Sequence, residues 1–469
     1  MSPSVKRYDL AVVGGGPGGY VAALRAHQLG MKVVLAEKDR LGGICLNWGC
    51  IPSKSLLRDA EIFHLLKNGK NFGFSCNGVR ADMKKVVSRS RGVANRLIKG
   101  IEYLMKKSGI PVVKGTAQIT GHDRVMVTAK SGSGKETLEA ERILLATGSR
   151  PIVLPNIPLD GERIITSTEA MLMEEIPERL VIIGAGAIGI EFGYYFAAFG
   201  SKVTIVELLP RILPQEDSEI TDALKASLGK MGIEFLLNSR VESAKVVKKK
   251  EVTVEVKTPS GNKRVIADRV LMSIGVRPNT ENLGLEKFGV RINNGFIKVN
   301  PTYQTSFPNI FAVGDVIGAP YLAHVASAEG IASVEAMAGE KSAGINYNAI
   351  PRCVYCRPQV ASVGMTEKEA RENGHEVRVG RFPFRANGRA LAAGEAEGMV
   401  KLVVDRKYGE ILGAQILGSE ASEQIAELCL AMNLEATAED LLQTVHAHPT
   451  LSEAVMEAAG DALGKGIHI

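Results

Sequence analysis

One tryptophan, and aromatic residues at 5% of 469 positions, leave little material for a base-stacking platform, and no arginine-rich aromatic surface accompanies them. Nucleic-acid binding is therefore not expected. Blocks of one charge are scarce too: the net +6 is a small difference between 57 basic and 51 acidic residues. The obvious basic run, Lys248 to Lys250, precedes the alternating EVTVEVK of residues 251 to 257, so it reads as a turn feeding a half-exposed hairpin strand. Long apolar runs are also missing. LVIIGAGAIGI is short and glycine-broken, under the roughly 20 residues that cross a bilayer, so no membrane insertion is expected. The N-terminus passes directly into a strand without a separate cleavable apolar segment. Six cysteines do not make a disulfide scaffold of a chain this large. A cytoplasmic or comparably reducing compartment is expected, where cysteines serve catalytic or transient disulfides.

Glycine is plentiful, with 50 residues, and its placement is informative. A chain of this length exceeds what one hydrophobic core usually supports, so two to four domains are expected, of α/β class. The strand-like YDLAVV of residues 8 to 13 ends at a G-x-G-x-x-G turn, and YVAALRAHQLG follows with helical spacing. Gly14 permits the tight bend, Gly16 lets the backbone approach a pyrophosphate, and Gly19 lets helix and strand pack closely. The phosphates then meet free amides at the helix N-terminus. MKVVLAEK ends near Glu37, placed to hold an adenosine ribose.

The pattern recurs in RLVIIGAGAIGIEFGYYFAAFGSKVTIVE, with Gly184, Gly186, Gly189 and Glu207. Two nucleotide sites in one chain imply electrons passing between cofactors; the bland alternative is a duplicated fold with one dead site. At the second site the charge of Glu207 would repel a 2'-phosphate and Arg211 is a single cation, so NAD is expected over NADP. ERILLATGSRP places Thr147 and Gly148 after a strand, and RVLMSIGVRPN repeats the arrangement around Gly275. FPNIFAVGDV ends a further strand at Gly314 and Asp315. If it returns to the first domain, Asp315 would reach the sugar-like chain of a flavin. An amphipathic helix follows, with Ala323 at its start facing the same cofactor. Beyond about residue 350 an antiparallel sheet with helices is expected, without a glycine loop and suited to an interface.

The segment GGICLNWGCIPSK sets Cys45 and Cys50 about thirty residues after the first loop, with Lys54 four positions beyond. Residues five apart on an ideal helix point well around its circumference. Bridging these two requires a distorted turn with Cα atoms within about 7 Å, which Gly49 makes easier. The bland reading is two buried, unlinked thiols. Lys54 would favour a thiolate or the cofactor electrostatically. In HAHPTLSE, His448 and Glu453 form a candidate base and orienting carboxylate, although a merely structural histidine is the alternative; Pro449 suits a cis bond, and His446 suits packing. Cys353 and Cys356 form a C-x-x-C without the further ligands that zinc needs, so no metal is expected. These two, with Cys76 and Cys429, read as core thiols.

GGGPGGY, GGICLNWGCIPSK, ATGS, GAGAIGIEFG, IFAVGD and HAHPTLSE, in that order along the chain, resemble the flavoprotein (pyridine nucleotide) disulfide reductases, most of all those oxidising protein-bound dihydrolipoamide. The resemblance implies two Rossmann-like dinucleotide-binding domains plus a C-terminal α+β dimerisation domain. These are an FAD domain over 1–150, an NAD domain over 151–275, a return segment over 276–350 completing the FAD domain, and an interface domain over 351–469. It implies that Cys45 exchanges with substrate, Cys50 lies beside the flavin, Lys54 sits near flavin N5 and pairs with Glu191, and Asp315 contacts the ribityl chain. It also implies a homodimer in which His448 and Glu453 reach the other subunit's disulfide. The partners would be lipoyl domains of 2-oxo-acid dehydrogenase complexes or the glycine cleavage H-protein. Trp48 departs from the valine expected between the cysteines, with flavin access as the property in question. A reductase of another disulfide, of quinone or of oxygen remains the alternative.

Overall fold

Strand β1 (Arg7–Val13) sends successive side chains to opposite faces. Leu10 and Val12 join one buried cluster with Ala22, Ala26, Ile98 and Met105, while Ala11 and Val13 join another with Val125, Ile143 and Leu145. A strand buried on both faces belongs to the middle of a parallel sheet covered on each side, and β1 has that place. The computed structural model describes residues 7–132, 134–248, 251–340 and 344–468, so the first six residues and most of the Lys248–Lys250 turn lie outside the described residues. The chain divides into two units, one of residues 1–55, 85–152 and 275–345, the other of 56–84, 153–274 and 346–469.

In the first unit, β1 pairs in parallel with β2 (Val33–Glu37) and with the end of a long strand, Lys135–Leu145. The strand Ile310–Ala312 pairs in parallel with Lys135–Leu145 at Ile143, Leu144 and Leu145. That carries FAVGD back to the first sheet, as its distance in sequence suggests. Helix α1 (Pro17–Gln28) follows β1, α2 (Gly43–Trp48) and α3 (Cys50–Lys67) follow β2, and α4 (Met83–Lys107) contributes Ile98, Ile101 and Met105 to the core. The helix Ala323–Met337 corrects an expectation. Its buried positions, including Val325, Ala326, Glu329, Gly330, Ala332, Ser333 and Val334, cover more than one face, so it is an enclosed helix and not an amphipathic one.

The second unit contains a five-stranded parallel sheet, in the order Glu234–Leu236, Lys202–Val206, Arg179–Ile183, Arg269–Met272, Ile164–Ile165. EVTVEVK lies in the strand Glu251–Thr258, between two antiparallel neighbours, with Val252, Val254 and Val256 inward. From Arg352 onward five antiparallel strands form a sheet centred on Ile411–Gly418, every residue of which is buried. The helices Ala421–Asn433 and Glu453–Ala462 share its core. Gly380 makes the second of these contacts possible, because a Cβ there would stand 1.9 Å from the Ala458 carbonyl oxygen. The approach fixes the helix that carries Glu453. The cysteine expectation fails at one position: Cys76 is exposed, in a stretch with no apolar periodicity to enclose it, whereas Cys356 is buried and Cys353 and Cys429 pack partly buried against the C-terminal core.

Lys401 is an enclosed cation of this unit, its side chain 3% exposed. It donates to both oxygens of Asp217 at 3.0 Å and lies 3.1 Å from Glu219 and 3.2 Å from Glu367. Removing the cation strands desolvated carboxylates, so Lys401→Met should cost about 3–5 kcal/mol, read as a lowered urea unfolding midpoint. Burial would raise Glu219 and Glu367, but Lys401 with Arg381 beside one and Arg371 beside the other holds both below the ordinary glutamate value. Their stabilisation is therefore present above that value and lost as pH falls through their folded pKa. Burial would lower Lys401, yet Asp217 and Glu219 raise it, so its contribution holds below the ordinary lysine value and is lost as pH climbs through the raised one.

Candidate active site

The two glycine loops are built alike. Gly14 and Gly184 have φ of +104° and +102°, a left-handed conformation that favours glycine. A Cβ on Gly19 would stand 1.8 Å from the Gly14 carbonyl oxygen, and one on Gly189 would stand 2.0 Å from that of Gly184. Gly16 and Gly186 face open space: a Cβ on the first would find nothing nearer than Gly43 at 3.8 Å, and one on the second nothing within 4 Å. Each loop thus leaves a cradle that a side chain would fill, before the first turn of its helix, which suits a pyrophosphate. The acids repeat as well. Glu37 accepts from the Gly15 amide at 2.5 Å and the Asp39 amide at 2.7 Å, and Glu207 accepts from Ala185 at 2.7 Å and Leu209 at 2.8 Å. A carboxylate so tied to its loop still has lone pairs for ribose hydroxyls.

Cys45 lies within α2 and Cys50 opens α3; Gly49, with φ −152° and ψ −118°, breaks the helix between them. The distortion anticipated at Gly49 is this break. A Cβ there would press to 3.0 Å from the Ile44 carbonyl oxygen. Both cysteines are half-buried thiols. The Cys45 thiol is pushed well above the ordinary cysteine value, first by its hydrogen bond with Cys50 and then by burial. The Lys54 charge acts in the expected downward direction and is outweighed. Cys50 sits at the positive end of an 18-residue helix, which favours negative charge there. Trp48 donates to Asp39 Oδ2 at 3.2 Å, and the Arg91 guanidinium lies 4.7 Å from its ring centroid.

Asp315 follows the strand Ile310–Ala312 and accepts from the Ser149 hydroxyl at 2.5 Å; desolvation raises its carboxyl above the ordinary range against that hydrogen bond. Gly148 and Gly275 have φ of +65° and +110°. Thr147 Oγ1 donates to the Asn279 carbonyl at 2.8 Å, and Asn279 donates back to the carbonyls of Thr147 at 2.9 Å and Ser149 at 3.0 Å. Asn279 and Ser149 escaped the sequence reading, as did Glu329, buried to 3%, which accepts from the Gly314 amide at 2.7 Å. The signal for Glu329 was an acid alone in the small apolar run VASAEGIASV. Ala323 is the first residue of that helix.

In the second unit, Glu191 is buried in the helix Ala187–Ala198 and accepts from the Tyr355 amide at 3.0 Å. His448 Nδ1 is 2.8 Å from Glu453 Oε1, while Glu453 Oε2 accepts from the Thr450 amide at 2.8 Å. Burial would raise Glu453, but the Thr450 amide and His448 hold it below the ordinary value. The His448–Pro449 bond is cis. Asn387, 3% exposed, fixes the turn by donating to the Thr450 carbonyl at 3.0 Å. The His448 side chain is 79% exposed, with Val445 beside it at 96%. His446 has both ring nitrogens engaged, with the Thr444 carbonyl at 2.9 Å and Glu427 at 2.7 Å, and anchors the segment. The thiol pair thus belongs to the first unit, and Glu191 and the histidine pair to the second.

Paired nucleotide cradles and adjacent thiols define a nucleotide-linked disulfide oxidoreductase. Residues 8–330 match the pyridine nucleotide-disulphide oxidoreductase family and residues 350–459 its dimerisation domain, and the chain belongs to that family. It is an NAD-linked flavoprotein disulfide oxidoreductase that uses FAD, and it forms a homodimer. It is similar to the dihydrolipoyl dehydrogenase of Chlorobaculum tepidum, 46% identical over 97% of each chain. It is also similar to that of Bacillus subtilis, 43% identical over 98% of this chain and 99% of the other. Among solved structures, LpdA from Mycobacterium tuberculosis superposes with a TM-score of 0.90 at 28% identity, covering 97% of this chain and 99% of that one. The HOCl-induced flavoprotein disulfide reductase RclA from Escherichia coli gives 0.85 at 29%, covering 96% and 98%.

Proposed function

We propose that the chain oxidises protein-bound dihydrolipoamide to lipoamide and delivers the electron pair to NAD. The observation that carries the reading is the Cys45 and Cys50 thiols meeting across the Gly49 break, in a unit that also holds a nucleotide cradle. His448, oriented by Glu453, takes a proton from a substrate thiol. The thiolate attacks Cys45 in the Cys45–Cys50 disulfide, and the second substrate thiolate displaces Cys45 from the mixed disulfide, leaving lipoamide and two enzyme thiols. Bound FAD supplies the two-electron relay between that dithiol and NAD. Gly14, Gly16, Gly19, Glu37, Thr147, Gly148, Asp315 and Ala323 serve the FAD site, with Lys54 holding positive charge there. Gly184, Gly186, Gly189 and Glu207 serve the NAD site.

The test is anaerobic addition of dihydrolipoamide to the holoenzyme. One equivalent should change the flavin spectrum and yield lipoamide, and NAD should reverse the change; an inert spectrum with turnover of quinone or oxygen instead would replace this reading by the reductase one. Nucleotide choice is checked separately. Steady-state rates should favour NADH over NADPH by about 10²-fold or more, since a 2'-phosphate beside the Glu207 carboxylate is a like-charge contact costing several kcal/mol. Equal rates would remove Glu207 as the selector.

The partners proposed are lipoyl domains of 2-oxo-acid dehydrogenase complexes or the glycine cleavage H-protein, supported by the activity named in the relatives. A cytoplasmic location is proposed with them, supported by a thiol pair suited to a transient, catalytic disulfide of the kind a reducing compartment allows.

A further inference from the structure

Three consecutive residues of α4 donate hydrogen bonds to the redox turn. Arg91 Nη1 donates to the Asn47 carbonyl, Ser90 Oγ donates to the Pro52 carbonyl at 2.9 Å, and Arg89 Nη1 donates to Ser55 Oγ at 2.8 Å and to its carbonyl at 3.3 Å. The acceptors run antiparallel to the donors and bracket Cys50. Successive helical residues point about 100° apart, so the fully buried Ser90 faces the turn while the long arginines reach round from either flank. Arg91 does two further things. It satisfies a carbonyl at the C-terminal end of α2, where intrahelical partners run out, and it lies over the ring of Trp48. Trp48 in turn bonds Asp39, whose amide is held by Glu37. The residues between the two cysteines are therefore clamped at Asn47 by Arg91 and at Trp48 by Arg91 and Asp39.

We propose that Arg91 and Trp48, which hold the Cys45–Cys50 linker, and Ser90, which holds the turn at Pro52 just beyond Cys50, are positioning residues that keep the two thiols in bonding geometry and so set how stable the disulfide is against the dithiol. Their hydrogen bonds go to the carbonyls of Asn47 and Pro52 and to the Asp39 carboxylate. A clamped linker has less conformational freedom to lose on closing the ring, so the effective concentration of one thiol at the other is higher. Slackening the clamp should shift the equilibrium toward the dithiol. The exchange is a two-electron one: Cys45 and Cys50 lose two protons and two electrons as their S–S bond forms, and glutathione disulfide gains both and becomes two glutathione molecules. The hydrogen bond between Cys45 and Cys50 accords with thiols already in contact under the clamp.

This inference rests on the disulfide exchange proposed above, and its test separates the two. Holoenzymes of the unmodified chain, Arg91→Gln, Ser90→Ala and Trp48→Val are equilibrated anaerobically across a glutathione redox series. Alkylation and peptide mass mapping then give the fraction of Cys45 and Cys50 that is oxidised. Arg91→Gln and Ser90→Ala should each need about a tenfold more oxidising thiol ratio for half-oxidation, a midpoint some 30 mV less negative, with flavin content retained. Trp48→Val should move in the same direction by less, since Arg91 keeps its bond to Asn47. Should Arg91→Gln fail to fold, Ser90→Ala carries the test alone. Midpoints that coincide with the unmodified protein while thermal stability falls would reduce the row to a structural brace, and a shift toward the disulfide would overturn the direction argued. If the unmodified protein itself never forms the bond, it is the functional reading that fails.

Discussion

Cys45→Ser should lower dihydrolipoamide-dependent NAD reduction by about 10⁴-fold or more, the order seen when a covalent nucleophile is removed from a group acting as a unit. The hydroxyl nearly matches the thiol in size, so the half-buried position against the first unit's core keeps its packing. What is lost is chemical: a serine oxygen cannot be the electrophilic partner in thiol–disulfide exchange, and Cys50 alone has no sulfur to close onto. FAD binding and NADH-driven reduction of an artificial acceptor should persist, because neither glycine cradle involves this side chain. Cys50→Ser separates the roles of the two thiols. A monothiol disulfide such as glutathione disulfide should leave a stable mixed disulfide on Cys45 in that variant, visible as a mass adduct, since neither Cys50 nor a second thiol on the adduct is there to displace it. Cys45→Ser should carry no such adduct. Dihydrolipoamide turnover near that of the unmodified protein in Cys45→Ser would end the assignment of Cys45 as the exchanging thiol.

What could be read from the chain alone divides by distance. The Gly14 and Gly184 loops, with the acids at 37 and 207, were legible because a strand, a tight turn and a helix N-terminus impose local residue requirements that recur wherever a pyrophosphate is held. His448 and Glu453 were legible for a similar reason: their contact spans five residues and one turn. The partners that fix these groups were not. Asn279 meets Thr147 across 132 positions, Asn387 meets Thr450 across 63, and Arg91 meets Asn47 across 44. In each case an ordinary polar side chain becomes informative only when the fold delivers it to a carbonyl lacking a donor. The errors have the same origin. Residue type alone groups Cys76 with the core thiols, and sequence alone makes the helix Ala323–Met337 one-sided; neither carries the elements that enclose a side chain or leave it exposed.

His448→Gln should slow the dihydrolipoamide half-reaction by about 10²–10⁴-fold, the usual contribution of a positioned base. FAD content and folding should change little, because the side chain is 79% exposed and lies outside the buried core. Its Nδ1 is occupied by Glu453, so Nε2 is the nitrogen that faces outward to accept a proton, and a glutamine amide cannot take one. The remaining rate should rise with pH as substrate thiols ionise unaided, whereas a merely structural histidine would leave the pH profile unchanged in shape. Which subunit the base serves follows from a mixed experiment on the homodimer. Chains carrying Cys45→Ser and chains carrying His448→Gln are each nearly inactive. If the exposed His448, with Val445 beside it at 96% exposure, reaches across to the other subunit, a hybrid dimer reunites an intact Cys45 and an intact His448 at one of its two sites. Co-refolding the two variants should then restore turnover. A hybrid as inactive as its parents would place base and thiols on the same chain, and rapid dihydrolipoamide oxidation by His448→Gln alone would return this histidine to a structural role.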